Sequence, residues 1–571
     1  MEREFDYLLP TDFGAGLRVG TIVRVPLHGR RVRGWIIADG VTPEAGVGRL
    51  LPIAKVVGAG PPSELMDLCR WTAHRWAGRP VALYRSASAP NAVRDPWPET
   101  THRRLDGSPP RSVTAWPPAA DRRELIAGLI AATGSSLILT AEGRISGLVR
   151  DLERRGHRVV VLRADVDDAV RTRAWSDARR GDVVVVGGRT AVWAPVPDLA
   201  AVIVLDDGDE ALQEERAPTW HARDVAIERA DRTGAAVHLI APVPTPEGQA
   251  AIGGAVMRPP GARERAGWPR VEIVDLREEP PGNGLLSEGL ARALHQVVDA
   301  GDRAVCILNR KGRAKLLTCV ACSTVAECER CHAAVVEQDA STLRCPQCGV
   351  ERPVICTACL GTKLRASRLG VQRLRDALAA LLPRTEIAWL DASIDEPGTA
   401  PVVVGTEAAL HRVDARFVAF LDLDQELFAP RVRAAQQAAG LVARAARGVG
   451  NRDRGGRLLI QTRSPNHDVV QWVLTGDPSA LMAAERERRT LLGFPPAGAV
   501  AELSGETPAV EQASLALRRD FRVFGPSEQG TGSTALVFGP TADGLADALA
   551  VAQPLGRAAG RLRVAVDPPR V

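Results

Sequence analysis

The amino-acid sequence predicts a multidomain α/β protein with two parallel-sheet lobes, a cysteine-rich insertion in the second lobe and smaller domains at both ends. Three observations support this fold class. The chain has 571 residues, too many for one hydrophobic core, which favours about three to five domains. Short β-branched runs alternate with helix-sized polar stretches, a pattern typical of parallel strands joined by crossover helices. Eight of the ten cysteines lie in one segment.

The order of these patterns divides the chain into five regions. The first combines short apolar runs with Gly and Pro turns, which predicts a small β-rich domain. The second is rich in Pro, Ser and Arg without periodicity, which predicts a linker. Two α/β lobes and a mixed tail follow. The predicted boundaries are 1–85 for the N-terminal domain, 86–120 for the Pro-rich linker, 121–265 for the first lobe, 266–470 for the second lobe with its insertion at 316–362, and 471–571 for an α+β C-terminal domain.

Composition argues against a membrane protein. Apolar residues make up 45% of the chain and charged residues 25%, and no apolar run approaches the roughly 20 residues that span a bilayer. The N-terminus lacks the basic and then apolar order of a signal peptide. We therefore expect a cytoplasmic monomer without membrane contacts. Its net charge of +5 suits a polyanionic partner.

The lysines decide one question about nucleotide chemistry. Only four of the 73 basic residues are lysine: Lys55, Lys311, Lys315 and Lys363. A Walker A loop needs Gly-Lys followed by Ser or Thr, because the ammonium group must reach the β- and γ-phosphates. None of the four lysines follows a glycine. The sequence therefore contains no P-loop lysine.

The cysteine-rich segment predicts two structural zinc sites. It contains four C-x-x-C pairs, and two such pairs complete one tetrahedral Cys₄ site. Disulfides are disfavoured in a reducing cytoplasm, and an iron–sulfur cluster is the remaining alternative. All ligand positions would be filled by sulfur, so we expect a module that binds DNA or protein and has no open site for chemistry. A nested arrangement assigns Cys319, Cys322, Cys356 and Cys359 to one ion and Cys328, Cys331, Cys345 and Cys348 to the other.

An apolar run at 202–205, VIVL, ends on Asp206 and Asp207. A carboxylate at the C-terminal end of a buried parallel strand is where nucleoside-triphosphate motors hold magnesium. A working motor would normally have Glu after the first Asp. The stretch therefore indicates either an ATP site or the remnant of one.

Ten stretches of the sequence, taken in order, carry a resemblance to a known family. They are FDYLLP (5–10), VRVPLHGRRVRGW (23–35), GRTAVWAPVPDL (188–199), APTWHARDVAIERA (217–230), VEIVDLRE (271–278), LNRKG (308–312), the eight-cysteine block, LDLDQELFAPRVRAAQ (421–436), LIQTRSPNHDVV (459–470) and LLGFPPAG (491–498). Together they resemble the PriA family of bacterial replication-restart proteins, over nearly the whole chain.

The resemblance implies two RecA-like lobes of a superfamily 2 helicase and an N-terminal domain that captures the 3′ end of a nascent strand. It also implies recognition of stalled forks and D-loops, with primosome proteins, the replicative helicase and single-stranded DNA-binding protein as partners. The family pairs its cysteines in the nested way given above. A winged-helix domain follows the N-terminal domain in the family, whereas here only the Pro-rich linker occupies that place.

The resemblance also marks residues for DNA contact. Phe5, Asp6 and Tyr7 match the family's 3′-terminus pocket, where an aromatic ring stacks on the terminal base and an Asp accepts its 3′-hydroxyl. The alternative is a strand end with two core aromatics. Gly29 precedes a basic loop that either grips phosphates or forms a solvated hairpin face.

The family's ATP-site motifs are degenerate here. The Gly-rich loop is replaced by AWPPAADRRELIAGL (115–129), and Asp-Glu-Glu-His has become Asp206–Asp209. An ungapped alignment places the two phosphate-sensing arginines on Gly448 and Asn451, although a register shift would bring in Arg444 or Arg447.

We therefore expect no catalytic residue, and neither ATP nor Mg²⁺ as a cofactor, with Asp206 and Asp207 as remnants. The predicted function is recognition of stalled forks and primosome assembly without helicase activity. The main alternative is an active ATP-dependent 3′–5′ DNA helicase with divergent motifs. A third possibility is an interaction protein that kept the zinc module and lost DNA binding.

Overall fold

The computed structural model confirms the predicted fold class. It describes residues 4–10, 17–43, 50–95, 109–141, 145–280, 284–308, 316–366, 371–390, 398–530 and 532–570. Two large parallel sheets, a small N-terminal sheet, a cysteine-rich insertion and a C-terminal antiparallel sheet make up this part of the chain. Within the same residues, no helix is both long and apolar enough to cross a membrane.

The N-terminal region contains five short strands and two helices. They are β1 (Tyr7–Leu8), β2 (Ile22–Leu27), β3 (Arg30–Trp35), β4 (Leu51–Pro52), β5 (Lys55–Gly58), α1 (Ser63–Arg75) and α2 (Pro80–Ala87). Strands β3, β2 and β5 form an antiparallel sheet, and β1 pairs in parallel with β4. The turn from β2 to β3 places both His28 and Gly29 at positive φ, 47° and 73°. Positive φ at both central residues is the geometry that matches the twist of a tight hairpin.

The first lobe is a seven-stranded parallel sheet with crossover helices. Its elements are β6 (Arg111–Ala115), α3 (Arg123–Leu129), β7 (Ser135–Leu139), α4 (Ser146–Arg154), β8 (Val159–Leu162), α5 (Asp168–Ala178), β9 (Val184–Gly187), β10 (Leu199–Leu205), α6 (Ala222–Thr233), β11 (Ala236–Ala241), α7 (Pro246–Ile252), β12 (Val256–Met257) and α8 (Gly261–Ala266). The strand order is β12-β6-β11-β10-β7-β9-β8. Every residue of β10 is buried, because both faces of the sheet are covered by helices.

The second lobe begins with β13 (Arg270–Asp275), α9 (Glu288–Asp299) and β14 (Ala304–Ile307). The cysteine-rich insertion follows, with β15 (Leu317–Cys319), β16 (Val336–Glu337), β17 (Thr342–Arg344), β18 (Glu351–Pro353) and β19 (Leu364–Ala366). The lobe then resumes with α10 (Val371–Leu381), β20 (Ile387–Leu390), β21 (Val402–Gly405), α11 (Ala409–Arg412), β22 (Phe417–Phe420), α12 (Asp424–Leu427), α13 (Ala434–Val449), β23 (Arg457–Thr462) and α14 (Asp468–Thr475). Its six parallel strands have the order β13-β23-β22-β14-β21-β20.

The C-terminal region is an antiparallel sheet flanked by helices. Its elements are α15 (Ser479–Leu492), β24 (Ala499–Gly505), α16 (Thr507–Leu517), β25 (Arg522–Gln529), β26 (Gly532–Gly539), α17 (Ala542–Ala559) and β27 (Leu562–Val566). The strand order is β25-β26-β24-β27. This combination is the α+β arrangement predicted for the tail.

One hydrophobic cluster joins the two ends of the chain through the first lobe. It includes Met66 of α1, Val204 of β10 and Leu503 of β24, all of them buried. An ion pair of 3.0 Å between Arg75 and Asp567 lies at the same junction. One face of the first-lobe sheet is therefore covered in part by residues from both terminal regions.

The predicted linker, 86–120, needs a correction. Strand β6 lies inside this interval and is part of the first-lobe sheet, where it pairs with β11 and β12. Ala89 and Val93 are also buried, and they pack against Trp175. The short run RSVTA was hidden by Pro- and Ser-rich flanks, so the first lobe starts before residue 121. Residues 96–108 of the interval lie outside the described residues.

Candidate functional site

The eight clustered cysteines form two groups in the predicted nested pairing. In the outer group, Sγ of Cys319 lies 3.5 Å from Sγ of Cys359, and Sγ of Cys322 lies 3.6 Å from Sγ of Cys356. The four sulfurs of each group lie within 4.8 Å of one another. Zinc–sulfur bonds of about 2.3 Å place tetrahedral sulfurs roughly 3.8 Å apart, whereas a disulfide needs about 2.05 Å. The spacing therefore fits a four-coordinate metal ion.

The inner group is the more deeply enclosed of the two. Its contacts are 3.5 Å between the sulfurs of Cys328 and Cys348, and 3.4 Å between those of Cys331 and Cys345. Cys345 is completely buried beside Leu343, whereas Cys359 of the outer group is exposed. Both groups are metal-binding sites of Cys₄ type, and neither leaves a ligand position for a substrate.

All four C-x-x-C pairs share one backbone conformation. In each, the residue after the second cysteine has positive φ, and its N–H donates to the carbonyl of the first cysteine at 2.9–3.0 Å. Only one of these residues is glycine. The other three adopt the left-handed backbone conformation, which costs a non-glycine residue about 1–2 kcal/mol. The spacing of the cysteines in the sequence does not reveal this feature. The four residues are Ser323, His332, Gly349 and Leu360.

The four candidate DNA-contact residues fall into two environments. Phe5 is 47% exposed, and Asp6 beside it is partly buried. Tyr7 packs against the small core of the N-terminal sheet, and its hydroxyl donates to the Pro26 carbonyl at 2.9 Å. Tyr7 is thus positioned as a core residue, whereas the ring of Phe5 is exposed. Gly29 lies at the tip of the β2–β3 hairpin.

A row of three cations crosses this same sheet. Arg24 of β2 lies directly opposite Arg33 of β3 on one side and Lys55 of β5 on the other, and all three side chains are exposed. Like charges placed opposite each other across strands are destabilising. Burial lowers the pKa of Arg33, and the charges of Arg85 and Arg24 lower it further. Among the described residues, no carboxylate lies within 4.0 Å of Arg24, Arg33 or Lys55. We call these three residues the basic row.

The cleft between the lobes begins at the loop after β6, where a phosphate-binding loop would lie. This loop contains Pro117 and Pro118, which have no N–H to donate to a phosphate. The Pro118 carbonyl instead accepts a hydrogen bond of 3.2 Å from Nε of Arg447, a residue of the second lobe. The Pro117–Pro118 segment of this loop therefore has no backbone N–H group that could bind an anion.

Asp206 lies at the carboxyl end of β10, beside that loop. One of its oxygens is 3.1 Å from Arg122 and the other is 2.9 Å from Arg447. Burial on its own would raise the pKa of Asp206, but the two guanidinium groups outweigh burial and hold the pKa at about 2. The carboxylate that would bind magnesium is therefore ionised and already neutralised by side chains of the same chain.

Asp207 points to the other side of the strand end and is fully buried. It accepts hydrogen bonds from the hydroxyl and the N–H of Thr245, which caps α7. Burial raises the pKa of Asp207 to about 6, although Arg223 and the Thr245 hydrogen bonds oppose the shift. A carboxyl group held in this way lies behind the cleft and is not free to orient a water molecule within it.

Further ion pairs join the two sides of the cleft. Glu247 of α7 lies 2.9 Å from Arg433, just before α13, and 2.6 Å from Arg489 of α15. Asp209 lies 3.0 Å from Arg444. His221 and Arg223 are buried on the first-lobe side of this network, as packing residues. The cavity that remains there is about 20 Å³, roughly the room of one ordered water.

The chain is similar to known replication-restart proteins. A family model described as the 3′DNA-binding domain (3′BD) of PriA matches residues 1–88. The chain is 28% identical over 568 residues to the probable replication restart protein PriA of Mycobacterium tuberculosis, covering 89% of this chain and 86% of that protein. It is 26% identical to the replication restart protein PriA of Bacillus subtilis, covering 66% of this chain. The chain is a relative of PriA.

The share of a relative's length that the chain covers differs from one relative to another. The chain spans about half of the length of the first relatives it matches, 51% of the B. subtilis protein and 49% of the Haemophilus influenzae PriA. Among solved structures, S. cerevisiae Dbp5 bound to RNA and ADP BeF3 is 8% identical with a TM-score of 0.36, and the match covers 68% of this chain and 90% of that one.

In this PriA relative, the arginines that face the cleft do not lie at positions 448 and 451, where the ungapped alignment with the family places them. Gly448 lies in α13 with open space around it, and the side chain of Asn451 accepts from the N–H of Arg454 in a short turn. Arg444 and Arg447 face the cleft, which corresponds to the shifted register. Both are bound to carboxylates, so the cleft presents no free phosphate-binding group at these positions. Its residues do not fit a nucleotide–Mg²⁺ complex.

Proposed function

We propose that this PriA relative is a cytoplasmic replication-restart protein that binds forked or branched DNA with a free 3′ end and scaffolds primosome assembly without hydrolysing ATP. The observation that carries the proposal is the basic row. These three cations lie opposite one another on an exposed sheet, with no carboxylate partner among the residues that the structure describes, and a phosphate backbone would remove their mutual repulsion. The exposed ring of Phe5 on the adjoining segment would supply a base-stacking surface.

The metal sites support a scaffolding role in the same proposal. Zinc suits the all-sulfur tetrahedral geometry of both cysteine groups, so two Zn²⁺ ions per chain are proposed as structural cofactors. The partners proposed for this monomeric protein are primosome proteins, the replicative helicase and single-stranded DNA-binding protein. Loss of ATP hydrolysis follows from the missing lysine, the prolines after β6 and the neutralised Asp206.

One experiment tests both halves of the proposal. The zinc-loaded protein is titrated onto a fork with a free 3′ end, with fluorescence anisotropy recorded at several salt concentrations, and ATP hydrolysis is measured in the same samples. Each phosphate contact contributes about 0.9 to the slope of log affinity against log salt. The double variant Arg24→Ala/Arg33→Ala should lower that slope by about 1.8.

A matched control is Arg163→Ala/Arg171→Ala, which removes two exposed arginines that already pair with Asp165 and Asp168. The control should bind the fork like the wild-type protein. Salt-insensitive or absent binding would reject the DNA half of the proposal and favour an interaction protein that retains only the zinc module.

An active 3′–5′ helicase is the second candidate. A specific observation favours it, since Arg444 and Arg447 lie in the cleft between the lobes, where phosphate-sensing arginines of a motor act. Fork-stimulated ATP hydrolysis would establish this candidate and would reject the non-hydrolysing scaffold.

A further inference from the structure

Three groups of ion pairs cross the cleft, one at each of three carboxylates of the first lobe. Four arginines from the second lobe and the C-terminal region, Arg433, Arg444, Arg447 and Arg489, meet three carboxylates of the first lobe, Asp206, Asp209 and Glu247. All seven side chains are largely withdrawn from solvent, and the Arg489 side chain is only 1% exposed. Breaking one such buried pair leaves its partner charged and unmatched, which is strongly unfavourable.

A second, independent feature of the cleft is Gly208. A Cβ atom at this position would lie 2.6 Å from Nε2 of Gln436 and 2.9 Å from Cγ2 of Thr245. Gln436 belongs to α13 of the second lobe, and its Oε1 accepts a hydrogen bond of 2.5 Å from Arg489. The absence of a side chain at Gly208 therefore lets α13 approach the end of β10 closely.

We infer that these seven charged residues form an inter-lobe latch, which holds the two lobes closed without a nucleotide. In a nucleotide-driven motor, phosphate charge bridges the lobes and its loss lets them part. In the latch, fixed carboxylates of the first lobe provide that negative charge permanently. The two lobes then behave as one rigid body, and added nucleotide has no differential contact through which to move them.

Hydrogen exchange on the full-length, zinc-loaded protein without DNA tests the latch. Peptides covering α13 and residues 203–212 should exchange slowly, and ATP–Mg²⁺ should leave their rates unchanged. Arg444→Ala/Arg447→Ala should increase these rates by about 100-fold, because Asp209 loses its arginine across the cleft and Asp206 keeps only Arg122 of its own lobe. Gly208→Gln keeps every charge and should also increase them, by about 10-fold. The control Arg171→Ala should leave them unchanged.

Peptides from β2, β3 and β5 report whether each variant remains folded, since these strands pack around a separate small core that includes Val23, Val25 and Ile53. Protection of the cleft peptides by ATP–Mg²⁺ in the wild-type protein would overturn the latch. Unchanged exchange in both cleft variants would overturn it as well. The latch rests on no DNA measurement, so its failure is distinguishable from failure of fork binding.

Discussion

The cysteine insertion and the inter-lobe cleft both contain clustered negative charge. The positive charge that balances it comes from a different source in each. The eight clustered cysteines of the insertion bind metal as thiolates, whose negative charges need a metal ion between them. The carboxylates of the cleft are matched by arginines of the same chain. The chain thus leaves one site to be completed by an external ion and closes another with its own side chains.

Removal of metal should have the largest effect. Cys345→Ser deletes a fully buried sulfur of the inner group, and structural zinc contributes on the order of 10 kcal/mol to folding of such a module. We expect zinc content to fall from two ions to one and amide protection of β17 to disappear. Elemental analysis and hydrogen exchange measure both. Cys306→Ser, a buried cysteine outside the groups, should retain two ions, and equal losses in both variants would contradict the assignment.

Breaking the cleft at Glu247 should have the next largest effect. Glu247→Gln removes the carboxylate that pairs with Arg433 and leaves Arg489 with Glu485 alone, so unfolding free energy should fall by about 3–5 kcal/mol. Denaturant unfolding measures this loss. The matched control is Glu124→Gln, whose side chain is 83% exposed and pairs with Arg155, and an exposed pair contributes at most about 1 kcal/mol. Similar losses of unfolding free energy in Glu247→Gln and Glu124→Gln would show that the buried pairs stabilise the fold no more than the exposed pair does.

A pH-dependent effect should follow at Asp207. Its pKa is raised to about 6 in the folded state by burial, above the unfolded value of about 3.9. The stabilisation from its proton is complete below about pH 4 and is lost as pH rises through 6. Asp207→Asn should therefore gain about 2 kcal/mol relative to wild type between pH 4.5 and pH 8. Parallel urea unfolding at the two pH values measures the difference, and a pH-independent difference would show that Asp207 titrates normally.

The smallest predicted effect concerns the knuckle backbone. Gly349→Ala meets no atom within 4 Å, but its φ of 72° disfavours alanine, so we expect a loss of about 1 kcal/mol. Gly440→Ala is the control, because Gly440 lies within α13 with open space around it. Alanine there should gain up to about 1 kcal/mol. Thermal unfolding should move in opposite directions for the two variants.

Much of the fold followed from local pattern, and much of the site did not. The apolar runs around Val204 and Val403 identified parallel strands because both faces of such strands are buried. The C-x-x-C spacing identified both cysteine groups because each pair must reach one ion. The basic row was not predicted, since the register that places Arg24 beside Lys55 depends on strand pairing. The pairing of Glu247 with Arg489 joins residues that are remote in sequence, and no local pattern marks it.

The cluster that joins both terminal regions to the first lobe has a consequence for synthesis of the protein. Strand β10 of that lobe leaves the ribosome long before β24 and β27, whose side chains complete part of the same core. Domains generally fold in the order in which they are translated, yet this lobe keeps apolar surface uncovered until the last strand is available. The nascent chain should therefore depend on chaperone protection more than its division into lobes suggests.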